Sequence, residues 1–147
     1  MILKQLSVFL ENKPGALSQP CRVLAEAGIN ILTIALADTE QFGILRLVVP
    51  EWEQARKALE QSGCVVKINY VVAMEVPDRP GGLADLLEVI EKAKVNDEYI
   101  YAFTAKKSGK GLMLFRFDQP ERAIAALCAS KMNPVGTAEL FRRLAAS

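Results

Sequence analysis

Residues 10–17 read Leu-Glu-Asn-Lys-Pro-Gly-Ala-Leu, and residues 76–83 read Val-Pro-Asp-Arg-Pro-Gly-Gly-Leu. Set 66 positions apart, the two stretches place Pro14 on Pro80, Gly15 on Gly81 and Leu17 on Leu83. The match continues with Val23 on Val89, Leu24 on Ile90, Ala27 on Ala93, Ile29 on Val95 and Asn30 on Asn96. Further on the offset becomes 68, with Gly43 on Gly111, Ala55 on Ala123, Ala58 on Ala126 and Leu59 on Leu127. Two extra residues in one hairpin turn account for the change. A repeat of this length exceeds most solenoid units, so each copy is expected to be a small domain, over 1–69 and 70–147.

Each copy is legible by its period. Leu6, Val8 and Leu10 alternate with Gln5, Ser7 and Glu11, which predicts a half-buried strand; Val72, Met74 and Val76 repeat it. After Pro-Gly the spacing Leu17, Cys21, Leu24, Ala27 is helical, as is Leu83, Leu87, Ile90. Gly28 is placed to end the first helix in the left-handed conformation. Two apolar runs, Ile29–Ala37 and Gly43–Val49, flank a polar turn at Asp38–Gln41. Pro50 and Glu51 open a second helix carrying Trp52, Ala55 and Leu59, and Cys64–Ile68 is a last strand.

The second copy predicts a strand at 70–77, a helix at 81–93, strands at 96–106 and 110–117, and a helix at 119–130. A weak strand near Asn133–Val135 completes it. Thr137 is expected to cap a short C-terminal helix with Leu140, Phe141 and Leu144. The order is βαββαβ twice. The fold class is therefore α+β: two ferredoxin-like sandwiches in tandem, antiparallel sheets with the helices on one face. Pro20 falls one turn into the first helix and is expected to bend it or delay its start. The strands at 43–49 and 112–117 are apolar on both faces, so the modules are expected to pair through their sheets and two chains to form a homodimer.

The 147-residue chain is 51% apolar, with a net charge of +1. No charge excess draws it to nucleic acid or anionic membrane. The tightest basic cluster, Lys106, Lys107 and Lys110, reads as a solvated hairpin tip. No secretory leader or membrane span is visible, and cytoplasmic location is expected. Cys21, Cys64 and Cys128 lack metal-ligand spacing and are expected to be reduced, buried thiols. There is no histidine. That removes the commonest general base and metal ligand, so no catalytic residue, metal or cofactor is assigned.

The loop between first strand and first helix carries the chemistry. Asn12 and Asp78 can cap the helix amides. Pro14 and Pro80 set the approach of the chain. Gly15 and Gly81 bring bare backbone to the surface, where unpaired N–H groups and the helix dipole suit a carboxylate or phosphate. The bland alternative is a plain helix start without ligand, which the repetition of the motif weakens.

The motif Asn/Asp-x-Pro-Gly-x-Leu, followed by the helix end Ala27-Gly28-Ile29-Asn30-Ile31 and a hairpin, resembles the ACT domain. That family binds amino acids and regulates amino-acid metabolism. The likeness covers the chain twice, to about Val135, and the whole resembles stand-alone tandem ACT proteins. It implies a non-catalytic sensor of a free amino acid, read by an enzyme or regulator partner. The backbone of Gly15, Ala16 and Leu17 would hold the α-carboxylate, with Lys13 beside them. Asn12 would meet the ammonium or side chain, and Asn30 with Ile31 would line the pocket. The matching residues are Asp78, Arg79, Gly81, Gly82, Leu83 and Asn96. Lys94 replaces the helix-ending glycine and Asp97 stands where Ile31 would be, so the first copy is the better site. The rival readings are an RNA-binding or partner-assembly module, the former weakened because Leu112 and Leu114 stand where stacking aromatics are needed.

Overall fold

The computed structural model describes residues 2–38, 40–107 and 109–145, without the side chains of 38 and 104–107. Ser108 and the side chains of Lys106 and Lys107, in the basic hairpin tip, lie outside the described residues. The elements in order are β1 (Ile2–Glu11), α1 (Ser18–Glu26), β2 (Thr33–Asp38), β3 (Phe42–Val48), α2 (Trp52–Gln61) and β4 (Val65–Pro77). They continue with α3 (Gly82–Lys92), β5 (Asp97–Lys107), β6 (Lys110–Phe117), α4 (Pro120–Ala129), β7 (Pro134–Val135) and α5 (Thr137–Ala145). The described residues are thus mixed α+β with antiparallel strand pairing and five helices, as in a ferredoxin-like fold. It divides into two compact units, Lys4–Asn69 and Tyr70–Ser147 with Met1–Leu3.

In the first unit β3 lies between β2 and β1, antiparallel to both, with Leu47 opposite Leu6 and Ile34. Its core joins Leu6, Val8, Leu45 and Leu47 of the sheet to Leu24 of α1 and Ala55 and Leu59 of α2. Leu24 and Leu59 are fully buried, each contributing roughly 1.5–3 kcal/mol. In the second unit β6 lies between β4 and β5, and β7 adds to β4 at Ala73 and Met74. The equivalent core holds Val72, Met74, Phe115, Phe117, Ile90, Ala123 and Leu127.

Several expectations are corrected. The strands expected at 64–68 and 70–77 are one strand, β4. No Gly or Pro interrupts Ile68-Asn69-Tyr70, and Asn69 is held by the Ser7 hydroxyl, which donates to its Oδ1 at 2.6 Å. Gln5 and Ser7, expected on a solvated face, are buried. The Gln5 amide donates to Ser7 Oγ at 3.2 Å, so this polar pair enters the interior with its hydrogen bonds made. The cysteines are free thiols, yet Cys21 and Cys64 are only partly buried and Cys128 is exposed, because Cys128 follows core Leu127 onto the outer face of α4. Thr137 is the first helical residue of α5 and not its cap, since Gly136 accepts the first helical hydrogen bond, from Leu140.

Pro20 delays its helix. α3 begins at Gly82, whose counterpart is Ala16, but α1 begins two residues later, at Ser18. Pro20 therefore sits in the first turn, where its missing N–H has no intrahelical partner to lose. The delay leaves Leu17 39% exposed and makes Pro20, with Leu24, the buried surface of α1.

Candidate functional site

The two strand-to-helix loops repeat each other bond for bond. In the first, the N–H groups of Asn12, Lys13, Ala16 and Gln19 donate to the carbonyls of Gln41, Glu11, Lys13 and Gly15. In the second, those of Asp78, Arg79, Gly82 and Asp85 donate to Gly109, Pro77, Arg79 and Gly81. Three of these four bonds keep the 66-residue offset in donor and acceptor. The fourth, from Gln41 to Gly109, carries the 68-residue offset, so the hairpin holding the extra residues folds back onto the same point. Gly15 and Gly81 adopt φ of 87° and 84°, a left-handed conformation that glycine enters without steric cost.

This bonding consumes the N–H of Ala16 and of Gly82. Among the described residues, the N–H groups of Gly15, Leu17 and Ser18, and of Gly81, Leu83 and Ala84, make no hydrogen bond. These are the unpaired amides of a helix start, at the positive end of its dipole. No side chain caps either helix. Contrary to expectation, Asn12 Nδ2 donates instead to the Glu40 carbonyl at 3.3 Å, which ties the loop to the neighbouring hairpin, and Asp78 does not cap α3.

A groove lies against each loop. The first, of about 530 Å³, runs from Phe9, Leu10 and Glu11 of β1 past Lys13, Pro14, Gly15 and Ala16. It reaches Gln19 of α1 and is closed by the end of α2 and start of β4, Ser62 to Val65. The second, of about 140 Å³, is lined by the matching positions: Glu75 for Phe9, Arg79 for Lys13, Gly82 for Ala16, Asp85 for Gln19, and Lys131, Met132 and Asn133 for Gly63, Cys64 and Val65. Pro77, Leu86 and Lys110 complete it.

The side chains differ where the backbones agree. In the first groove Lys13 pairs with Glu11 at 2.9 Å, both well exposed. The polar residues that α1 and the end of α2 bring to it are uncharged: the Cys64 thiol stands 3.5 Å from Gln19 Oε1 and from Ser62 Oγ. In the second groove Arg79 folds back over its own loop, donating to the Pro80 carbonyl at 3.0 Å and pairing with Asp85 at 2.7 Å. Glu75 binds Lys110 at 3.3 Å and also meets Arg143 of α5. The Arg143 hydrogen bond holds the Glu75 carboxyl below its usual range against the opposing effect of burial. Glu139, one turn back on α5, is drawn down to about 2 by Arg142 and Arg143.

Of the residues expected at the site, Lys13, Pro14, Gly15 and Ala16 line the first groove and Arg79 and Gly82 the second. Asn12, Leu17, Asp78, Gly81 and Leu83 flank them in the loops. Asn30, Ile31 and Asn96 line neither groove. Asn30 is exposed, Ile31 packs on the first core, and Asn96 donates its N–H to Asp118 Oδ1 at 2.9 Å. Phe9, Gln19 and Ser62–Val65 were not foreseen as lining residues. No pattern in the sequence pointed to the last of these, which reach the loop only through the packing of α1 beside α2. Among the described residues no group of three His, Cys, Asp or Glu could hold a metal ion, and no helix is long and apolar enough to cross a membrane.

The sequence model of the ACT domain pair matches residues 1–144. A solved protein of Bacteroides thetaiotaomicron is 34% identical, with 96% of each chain covered and a TM-score of 0.88. The regulatory subunit of aspartate kinase from Thermus thermophilus, in its ligand-free form, is 19% identical over 86% of this chain and 91% of its own, with a TM-score of 0.63. That from Thermus flavus is 19% identical over 86% and 90%, at 0.60. These last two likenesses are of fold. No curated protein matches the sequence.

Proposed function

The chain belongs to the ACT domain pair family, and from that premise we propose that it is a non-catalytic regulatory protein that binds a free amino acid at its strand-to-helix loops. Each half, 1–69 and 70–147, serves as one βαββαβ module, and the working protein is a cytoplasmic homodimer. The observation that carries this reading is the row of free N–H groups at Gly15, Leu17 and Ser18 beside an open groove. Such donors suit the carboxylate of a zwitterion and leave its side chain to the groove walls.

The chain holds no histidine, and the carboxylates of the second groove are each engaged by a cation. In the first groove Glu11 is likewise paired, with Lys13. The RNA-binding alternative finds no support in β6, where Leu112, Leu114, Phe115 and Phe117 are all buried and the two phenylalanines stack on one another with ring centres 5.4 Å apart. An enzyme or regulator of amino-acid metabolism is the partner in keeping with the reading, as fold relatives serve aspartate kinase as regulatory subunits. The bound amino acid then favours one packing of the modules over another, a coupling of roughly 1–3 kcal/mol.

Thermal denaturation with each of the twenty amino acids tests this. The correct one stabilises by about 2.7 kcal/mol at a hundredfold excess over Kd. If none raises Tm at millimolar concentration, the reading falls.

A further inference from the structure

The two grooves occupy the same place in the duplicated unit, yet their walls have opposite chemistry. In the first, Phe9 is 49% exposed and Val65 64% exposed, large apolar side chains standing in solvent at the groove's edge. At the matching positions of the second stand Glu75 and Asn133. Gln19, neutral, faces the first groove, and its counterpart Asp85 is a carboxylate held by Arg79. That Asp85–Arg79 pair is already made, so a zwitterion would have to displace it to use either charge. The guanidinium of Arg79 also comes within 3.4 Å of the position a Gly81 side chain would take, so it stands against its own loop.

From these contrasts we infer that the chain binds one amino acid and not two, in the first groove, and that this ligand has an apolar side chain received by Phe9 and Val65. The inference rests on the function proposed above and narrows it. Apolar walls reward an apolar side chain and leave a polar one without partners, whereas the second groove has Glu75 and Asn133 at the matching places.

Calorimetric titration of the intact protein with L-leucine, L-isoleucine, L-phenylalanine, L-serine, L-aspartate and L-lysine decides it. The expected result is one site per chain and binding of an apolar member at least about tenfold tighter than L-serine. Phe9→Glu and Val65→Asn install the second groove's residues in the first, and each is expected to weaken that binding at least about tenfold. Both positions are exposed, so an unchanged Tm without ligand shows that the variants fold. Asn133→Val is expected to leave affinity unchanged. Two sites per chain, or a polar ligand whose affinity ignores both variants, would overturn the inference while leaving the sensor function standing. A change of oligomeric state in Phe9→Glu by light scattering, with binding intact, would overturn it by making the apolar walls a contact between copies. Failure of all six to bind, while another amino acid with a polar side chain raises Tm, rejects the apolar class alone.

Discussion

The β1–α1 loop and the β4–α3 loop make the same four backbone hydrogen bonds, but one borders a groove of about 530 Å³ and the other a groove of about 140 Å³. Duplication preserved the main chain and released the side chains. The second copy also begins its helix earlier and closer to the sheet: a Cβ added at Gly82 would stand 2.1 Å from the Pro77 carbonyl oxygen. Its counterpart in the first copy is Ala16, which carries a Cβ. The lesson is that one loop conformation can be kept for two ends, an open groove edge in one module and a tight helix–strand junction in the other.

Replacing Gly82 strikes this contrast hardest. Gly82→Ala is expected to destabilise by about 3 kcal/mol, because the clash is with backbone and no flexible side chain can move aside. Ala16→Gly should cost less than about 1 kcal/mol. Urea denaturation of both reads the difference; equal costs would mean that the two helix starts are packed alike.

The helix ends divide in the same manner. All four helices of the repeats close with the same pair of backbone hydrogen bonds, as in Ile29 to Leu24 and Gly28 to Ala25, or Met132 to Leu127 and Lys131 to Cys128. The left-handed residue is Gly28 or Gly63 in the first copy and Lys94 or Lys131 in the second, at φ of 57° and 59°. Lys94→Gly and Lys131→Gly are each expected to stabilise by about 1 kcal/mol. Unchanged midpoints in denaturation would show that these lysines gain elsewhere what they lose in strain.

The smallest effect is at Asp97, where the first copy has Ile31 against its core. One carboxylate oxygen of Asp97 is buried without a partner. Burial, and then the neighbouring Asp118, push its carboxyl above the usual range. A raised folded value means that the charged form is disfavoured in the native state, so the penalty is present at neutral pH and fades as pH falls through that value. Asp97→Asn is expected to gain about half a kcal/mol at pH 7 and nothing near pH 3. Equal gains at both pH values would remove the charge as the cause.

Much of this was legible before any coordinates. The two offsets located both modules' strands and helices, because alternation and helical spacing are local consequences of which residues meet a core. The positive φ at Gly28 followed from glycine being the residue that tolerates it at a helix end. Pro20 announced a disturbed helix start, though not that the chain would answer by starting two residues later. The join of 64–68 and 70–77 was missed because Asn69, a residue common in turns, stands between them, and only tertiary structure shows that its side chain is held by Ser7 within a continuous strand. Gln5 and Ser7 were misplaced for a related reason: alternation tells which face a side chain takes, and says nothing of what covers that face.

The duplication, the element order and the paired Pro-Gly loops were determined by the sequence alone, since each depends on neighbours within one turn or one strand. Which residues wall the grooves was decided by tertiary structure. Packing of α1 beside α2 brings Ser62–Val65 to a loop some fifty residues earlier in the chain, and no local pattern encodes a meeting between segments that far apart. The same holds for Arg79, whose fold-back onto Asp85 depends on where the α3 turn points its side chains, and it is this contact that separates the two copies.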